Sequence, residues 1–176
     1  MELADNVERF DCDVAVLGAG AAGLIAGIRA AERGARVLVL EKNRRAGVKI
    51  LMSGGTRCNL TNARGLRRLE AVSGPIDPAF DPSACRGSRA IQDAFGAGGS
   101  FLGPALRQLD VDQTVRLFEA EGVATKIEAN GKIFPATDRA VDVVEALLKR
   151  LSRGGAQFRG HCPVAAIERL DGGSGF

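Results

Sequence analysis

The chain has 176 residues, 45% of them hydrophobic and 26% charged, enough for one buried core or one domain and part of another; its net charge of +3 is too small to argue for nucleic acid as a partner. Its cysteines (Cys12, Cys58, Cys85, Cys162) form no C-x-x-C pair, which excludes the usual zinc and disulfide patterns and points to a reducing, cytoplasmic setting. The polar start "MELADNVERF" is unlike a signal peptide, and no apolar run approaches the roughly 20 residues of a membrane span, so no membrane partner is expected.

Residues 12–17, "CDVAVL", read as a short buried strand ended by Gly18. The apolar spacing of Leu24, Ile25 and Ile28 predicts a helix over 21–33, with Gly34 placed to stop it. Residues 35–40, "ARVLVL", have the continuous apolar character of a parallel strand. Strand, helix and strand together make a βαβ unit.

Gly18-Ala-Gly20-Ala-Ala-Gly23 joins the first strand to the helix, and Glu41 ends the second strand. That is the context a G-x-G-x-x-G fingerprint requires. Gly18 lets the chain turn, Gly20 lets backbone approach a pyrophosphate, and Gly23 lets helix and sheet pack closely. The helix start then attracts the anion. A carboxylate at position 41 suits the hydroxyls of a free ribose, which favours FAD or NAD over NADP and leaves the choice between those two open.

From Glu41 to Glu70 there is no other acidic residue, while Lys42, Arg44, Arg45, Lys49, Arg57, Arg64, Arg67 and Arg68 fall in between. An anionic partner and a solvated basic loop both fit that pattern. Residues 46–53 are compatible with a short helix, and 54–68 read as loop. Residues 73–100, with "GPIDPAFDPS" among them, read as a long excursion or flexible insert.

Regular patterning returns near Phe101. Asp110 and Gln113 have capping-box spacing ahead of a helix that carries Val111, Val115 and Phe118 on one face and stops at Gly122. "ATKIEANGKIFPA" reads as a hairpin turning at Asn130-Gly131. Thr137 or Asp138 is expected to cap a helix with Val141, Val144, Leu148 and Leu151 at helical spacing. Residues 156–160 and 163–170 read as two further strands.

The segment "LEKNRRAGVKILMSGGTRCNLTNA" is similar to the signature of the BaiN/RdsA-like flavoproteins, also called the aminoacetone oxidase family. Gly47, Lys49, Ser53, Gly54, Gly55, Arg57, Cys58, Asn59, Thr61 and Asn62 stand at matching positions. Val48 replaces a basic residue of that pattern and Thr56 replaces a glycine. "GKIFPATDRAVDVVEALL" resembles a second family segment, and "FLGPALRQL" the stretch leading to the family's insert domain. Residues 64–99 match nothing in it.

The resemblance implies an α/β, Rossmann-like FAD-binding βαβ domain of the two-dinucleotide-binding type, incomplete and ending in the start of an insert domain. On that basis residues 11–100 are the N-terminal part of the FAD domain, with 64–99 an irregular insert. Residues 101–176 continue it toward the insert domain. The family is longer, so the chain is expected to be an N-terminal fragment that holds the ADP half of FAD without sealing the ring system. The activity implied is an FAD-dependent oxidoreductase using NAD(P)H or oxygen on a small-molecule substrate, with no nucleic acid involved. The cofactor-binding set is Gly18, Gly20, Ala21, Ala22, Gly23, Glu41, Lys42, Lys49, Gly54, Gly55, Arg57, Cys58, Asn59 and Thr61. Within it, Gly54 and Gly55 would let backbone approach the flavin, Arg57 would offset pyrophosphate charge, and Asn59, Thr61 and Asn62 would give neutral hydrogen bonds. Two other functions remain: an NAD-dependent dehydrogenase fragment, or a non-catalytic module binding ADP-like ligands.

Simpler readings stand beside these. Cys58 is a small buried filler or, with Arg57 lowering its pKa, a reactive thiol. His161, the one histidine, is solvated or satisfied rather than a base. Asn59-Leu-Thr61 matches a glycosylation pattern, but nothing suggests secretion. Asp138 is a helix cap, and Arg64, Arg67 and Arg68 are a solvated face.

Overall fold

The computed structural model describes residues 11–169. In chain order the elements are β1 (Val14–Leu17), α1 (Ala21–Ala31), β2 (Val37–Leu40), α2 (Val48–Met52), β3 (Thr61–Asn62), α3 (Ser88–Ala94), α4 (Gly103–Gln108), α5 (Val111–Ala120), β4 (Thr125–Ile127), β5 (Lys132–Pro135), α6 (Ala140–Arg153) and β6 (Gln157–Arg159). The chain divides into two compact units. One comprises the described residues up to Ala46 and from Arg150 onward, the other Gly47–Lys149. Among the described residues no helix is long and apolar enough to cross a membrane.

The first unit is a parallel sheet in the order β1–β2–β6. β2 is central: Val14 to Leu17 pair with Val37 to Leu40, and Leu38 to Leu40 pair with Gln157 to Arg159. Its Val37, Leu38 and Val39 are buried, as a strand flanked on both sides requires. α1 buries Leu24, Gly27, Ile28 and Ala31, one stripe at i, i+3, i+4 and i+7. A Cβ at Gly27 would lie 3.0 Å from Val39 and 3.1 Å from Leu151, so the glycine sets how closely α1 approaches.

The strand expected at 163–170 does not form over 163–169, where every residue is exposed; residue 170 lies outside the described residues. The chain turns at His161, whose φ is 56°, and returns to the end of β2: His161 N donates to Asn43 O, and Cys162 N to Glu41 O. Those bonds use up the continuation of the ladder, and Val164 and Ile167 beyond it are exposed.

The second unit has an antiparallel sheet in the order β3–β5–β4. The hairpin turns where Asn130-Gly131 predicts, with Gly131 at φ 77° and Asn130 Oδ1 accepting from Lys132 N at 3.0 Å. α5 begins with the expected capping box: Asp110 Oδ1 accepts from Gln113 N, and Asp110 N donates to Gln113 Oε1.

Residues 64–99, expected as an irregular or flexible insert, are irregular but folded. Leu66, Val72 and Phe80 join Ala63, Val111, Val115, Ile127 and Ile133 in one buried cluster, with Ile91 of α3 packed against it. Short 3-10 turns at Leu69–Ala71 and Pro82–Ala84 carry the chain. Gly74 N donates to Thr125 O and Asp77 N to Ile127 O, which ties the segment to β4. The physical reason the sequence misleads is that these apolar residues have neither a helix nor a strand period.

Candidate functional site

At the end of β1 the backbone turns with Gly18 at φ 99°, and Gly18 N donates to Leu40 O at 2.7 Å. A Cβ at Gly23 would lie 1.9 Å from Gly18 O, so this glycine is obligatory for the packing. Gly20 differs: a Cβ there would meet nothing within 4 Å. The space above Gly20 is open, as a backbone that contacts a ligand requires.

α1 starts at Gly20 with no side-chain cap, and its first rung is Leu24 N to Gly20 O at 2.9 Å. The amides of Ala21, Ala22 and Gly23 precede that rung, at the positive end of an eleven-residue helix.

Glu41 lies beside this turn, only 8% exposed. Its Oε2 accepts from Ala19 N at 2.8 Å, and its Oε1 accepts from Asn43 N at 2.9 Å and Asn43 Nδ2 at 2.7 Å. The backbone N–H groups of Asn43 and Ala19 hold the carboxyl below its ordinary pKa, outweighing burial, with the Asn43 amide and the Lys42 charge adding to them. Of roughly four lone-pair sites on a carboxylate, Oε2 retains about one. Glu41 therefore pins the turn and keeps an acceptor for one further donor. Lys42 is exposed beside it. Asn43, which the sequence reading missed, fixes the Glu41 orientation; its spacing of two residues is the signal available for that.

The second unit carries the remaining candidates. After α2, on which Lys49 is exposed, the loop runs through the left-handed region at Gly54 (φ 56°), Gly55 (66°), Thr56 (69°) and Cys58 (62°). A Cβ at Gly54 would lie 2.8 Å from Asn59 N and 2.9 Å from Phe134 Cε1, whereas one at Gly55 would meet nothing within 4 Å. Gly54 is thus committed to packing, and Gly55 and Asn59 face outward. Thr61 sits half-buried in β3, and Asn62 Oδ1 accepts from Arg64 N.

The Arg57 guanidinium lies 4.1 Å over the Phe134 ring. Its Nη1 donates to Glu128 Oε1 and, at 3.4 Å, to Asp138 Oδ1. Asp138 also accepts from Lys126 Nζ, and that bond holds its carboxyl below the usual range. Asp138 itself has φ 57°. The expected helix cap is therefore overturned: the Asp138 carboxylate serves Lys126 and Arg57, while the Thr137 hydroxyl donates to Asp142 Oδ2. The sequence reading missed this cluster because Glu128 and Phe134 reach Arg57, and Lys126 reaches Asp138, only through the hairpin pairing.

Cys58 is 5% exposed, and burial pushes its thiol up, against a hydrogen bond from Ser53. The idea of Arg57 activating it fails, since that guanidinium is engaged with carboxylates. Cys58 is the buried filler. The structure thus assembles Gly18 to Gly23 with Glu41 and Lys42 in one unit, and Lys49 to Thr61 in the other.

A family model described as the HI0933-like protein Rossmann domain matches residues 12–74. The chain is 29% identical over 167 residues to the ribosomal RNA dihydrouridine synthase of Escherichia coli strain K12, covering 95% of this chain and 35% of that protein. It is 32% identical over 142 residues to the 3-dehydro-bile acid delta(4,6)-reductase of Clostridium scindens, covering 80% of this chain and 29% of that protein. The chain therefore spans about a third of the length of these relatives. Among solved structures, the 3-ketosteroid-delta4-(5alpha)-dehydrogenase of Rhodococcus jostii RHA1 superposes with a TM-score of 0.56 at 18% identity, over 90% of this chain and 40% of that one. That likeness shows the shared fold.

Proposed function

Since the chain belongs, through its HI0933-like Rossmann domain, with the BaiN/RdsA-like flavoproteins, we propose that it holds the ADP part of FAD and forms the N-terminal portion of an FAD-dependent oxidoreductase. The observation that carries this reading is the glycine turn with an ionised Glu41 fixed beneath it. The residues fit the group. Ala21 and Ala22 offer backbone N–H groups to the pyrophosphate, Gly20 leaves room for it, and Glu41 Oε2 accepts from one ribose hydroxyl. Lys42 adds positive charge beside that carboxylate.

In this reading the loop of the second unit serves the flavin end. Lys49, Gly55, Asn59 and Thr61 offer charge, open backbone and neutral polar groups. Gly54, Arg57 and Cys58 act through the loop, which they lock to Phe134, Glu128 and Asp138. When bound, FAD would supply the electron transfer, and the protein's part is binding and orientation. Residues 11–100 are read as the N-terminal part of the FAD domain and 101–176 as the lead into an insert domain. The whole protein is proposed to work in the cytoplasm on a small molecule, with NAD(P)H or oxygen as redox partner.

Thermal shift of the chain with FAD, NAD and ADP tests this reading. Greater stabilisation by FAD than by ADP supports it. Equal responses to ADP and FAD reduce it to an adenine-nucleotide module, and a preference for NAD overturns it.

A further inference from the structure

The second unit also contains a cavity of about 310 Å³ lined by Arg67, Arg68, Asp110, Asp112, Gln113 and Arg116. Asp112 is 3% exposed; its Oδ2 accepts from Arg67 N at 3.0 Å, but its Oδ1 is buried with no hydrogen-bond partner. An unmatched buried acceptor is destabilising, and more so when charged, so it calls for an explanation.

The rest of the wall is ordered. Arg67 Nη2 donates to Asp110 Oδ2 at 2.9 Å, and Asp110 Oδ1 accepts from Gln113 N. Gln113 Oε1 accepts from Asp110 N, which leaves its amide NH2 group to donate elsewhere. Arg68 and Arg116 are exposed and have no carboxylate partner among the described residues. The first turn of the ten-residue α5 lies in the same wall, with its Gln113 backbone N–H already taken by Asp110 Oδ1. The residues lining the cavity thus bring guanidinium and amide donors together with a carboxylate whose covered Oδ1 lacks a donor.

We propose that this cavity binds a phosphate ester with a neighbouring hydroxyl. Arg68, Arg116 and the Gln113 amide take the phosphate, and the hydroxyl donates to Asp112 Oδ1, which a small turn of that side chain on binding uncovers. Phosphate suits planar guanidinium forks better than a single-point anion does. A free sugar phosphate and a ribonucleotide backbone both present this pair of groups. The site is built from residues of the second unit alone and does not depend on FAD binding at the glycine turn.

The test measures binding of ribose 5-phosphate, inorganic phosphate, a short single-stranded RNA and the DNA of the same sequence to the full chain. The variants are R68Q/R116Q, at exposed positions, and D112N, which retains an oxygen for Arg67 N. The expected result is binding of ribose 5-phosphate or RNA that R68Q/R116Q weakens tenfold or more. D112N is expected to weaken the hydroxyl-bearing probe but not inorganic phosphate. RNA binding tighter than both DNA and ribose 5-phosphate identifies a backbone ligand, and ribose 5-phosphate as the tightest probe a free ester. Absence of binding by every probe, or binding indifferent to R68Q/R116Q, overturns the proposal. So does equal binding of RNA and DNA that D112N leaves unchanged.

Discussion

Glu41 shows what a single carboxylate does when the backbone donates to it. Its folded pKa lies below the ordinary 4.5, so the bonds to Ala19 and Asn43 contribute stability fully present above pH 4.5. That contribution is lost as pH falls through the lowered folded value. Glu41→Gln should therefore destabilise the chain at pH 7 by about 1.5–3 kcal/mol, the range for hydrogen bonds to a charged group. The difference in urea midpoint between the two proteins should shrink as pH is lowered below 4.5. A gap that stays constant with pH would mean that the ionised form is not what matters. Thr56 presents the opposite case. It occupies the left-handed region at φ 69°, where the related pattern has glycine, and its side chain is β-branched. Relief of about 1–2 kcal/mol of backbone strain, less about 0.5–1 for the added freedom of glycine, predicts that Thr56→Gly is more stable by about 0.5–1 kcal/mol. Chemical denaturation reads this directly. The glycines of the fingerprint divide in the same way. Gly20→Ala should leave stability within about 0.5 kcal/mol of the parent but weaken FAD about tenfold. Gly23→Ala should cost about 1–3 kcal/mol or more even without ligand, because its Cβ meets backbone. FAD titration and thermal melts of both variants separate the roles; unaltered FAD affinity in Gly20→Ala would sink the proposed backbone contact.

At the scale of elements, legibility followed locality. The βαβ unit, the Asn130-Gly131 hairpin and the Asp110/Gln113 capping box are each specified within a few residues, and each forms where the sequence predicts. Asp110→Ala should cost about 1 kcal/mol through the cap alone, with release of Arg67 Nη2 as a second effect. Circular dichroism melts check the total, and hydrogen exchange at the Gln113 amide checks the cap itself. What escaped the sequence was non-local. Residues 64–99 are held by Gly74 on Thr125, Asp77 on Ile127 and the burial of Leu66, Val72 and Phe80, none of which leaves a periodic trace. The candidate site divides on the same line. The glycine turn with Glu41 was readable from spacing, whereas Arg57 took a different partner set because Glu128 comes to it from the hairpin and Asp138 from the turn that follows β5. Asp138 was misread as a cap for the same reason.

For the molecule as a whole, the division into units has a covalent oddity. The parallel sheet takes β1 and β2 from the start of the chain and β6 from near its end, with Gly47–Lys149 between them. A ribosome adds roughly 5–20 residues per second. Once Leu40 has left the tunnel, the outer hydrogen-bonding edge of β2 waits on the order of 10 s for Gln157 to be made. During that wait the nascent polypeptide exposes an unpaired, valine- and leucine-rich ribbon, the kind of surface that recruits chaperones or a neighbouring copy on the same polysome. Slower synthesis lengthens that exposure, so the yield of native protein is expected to depend on synthesis rate as well as on equilibrium stability.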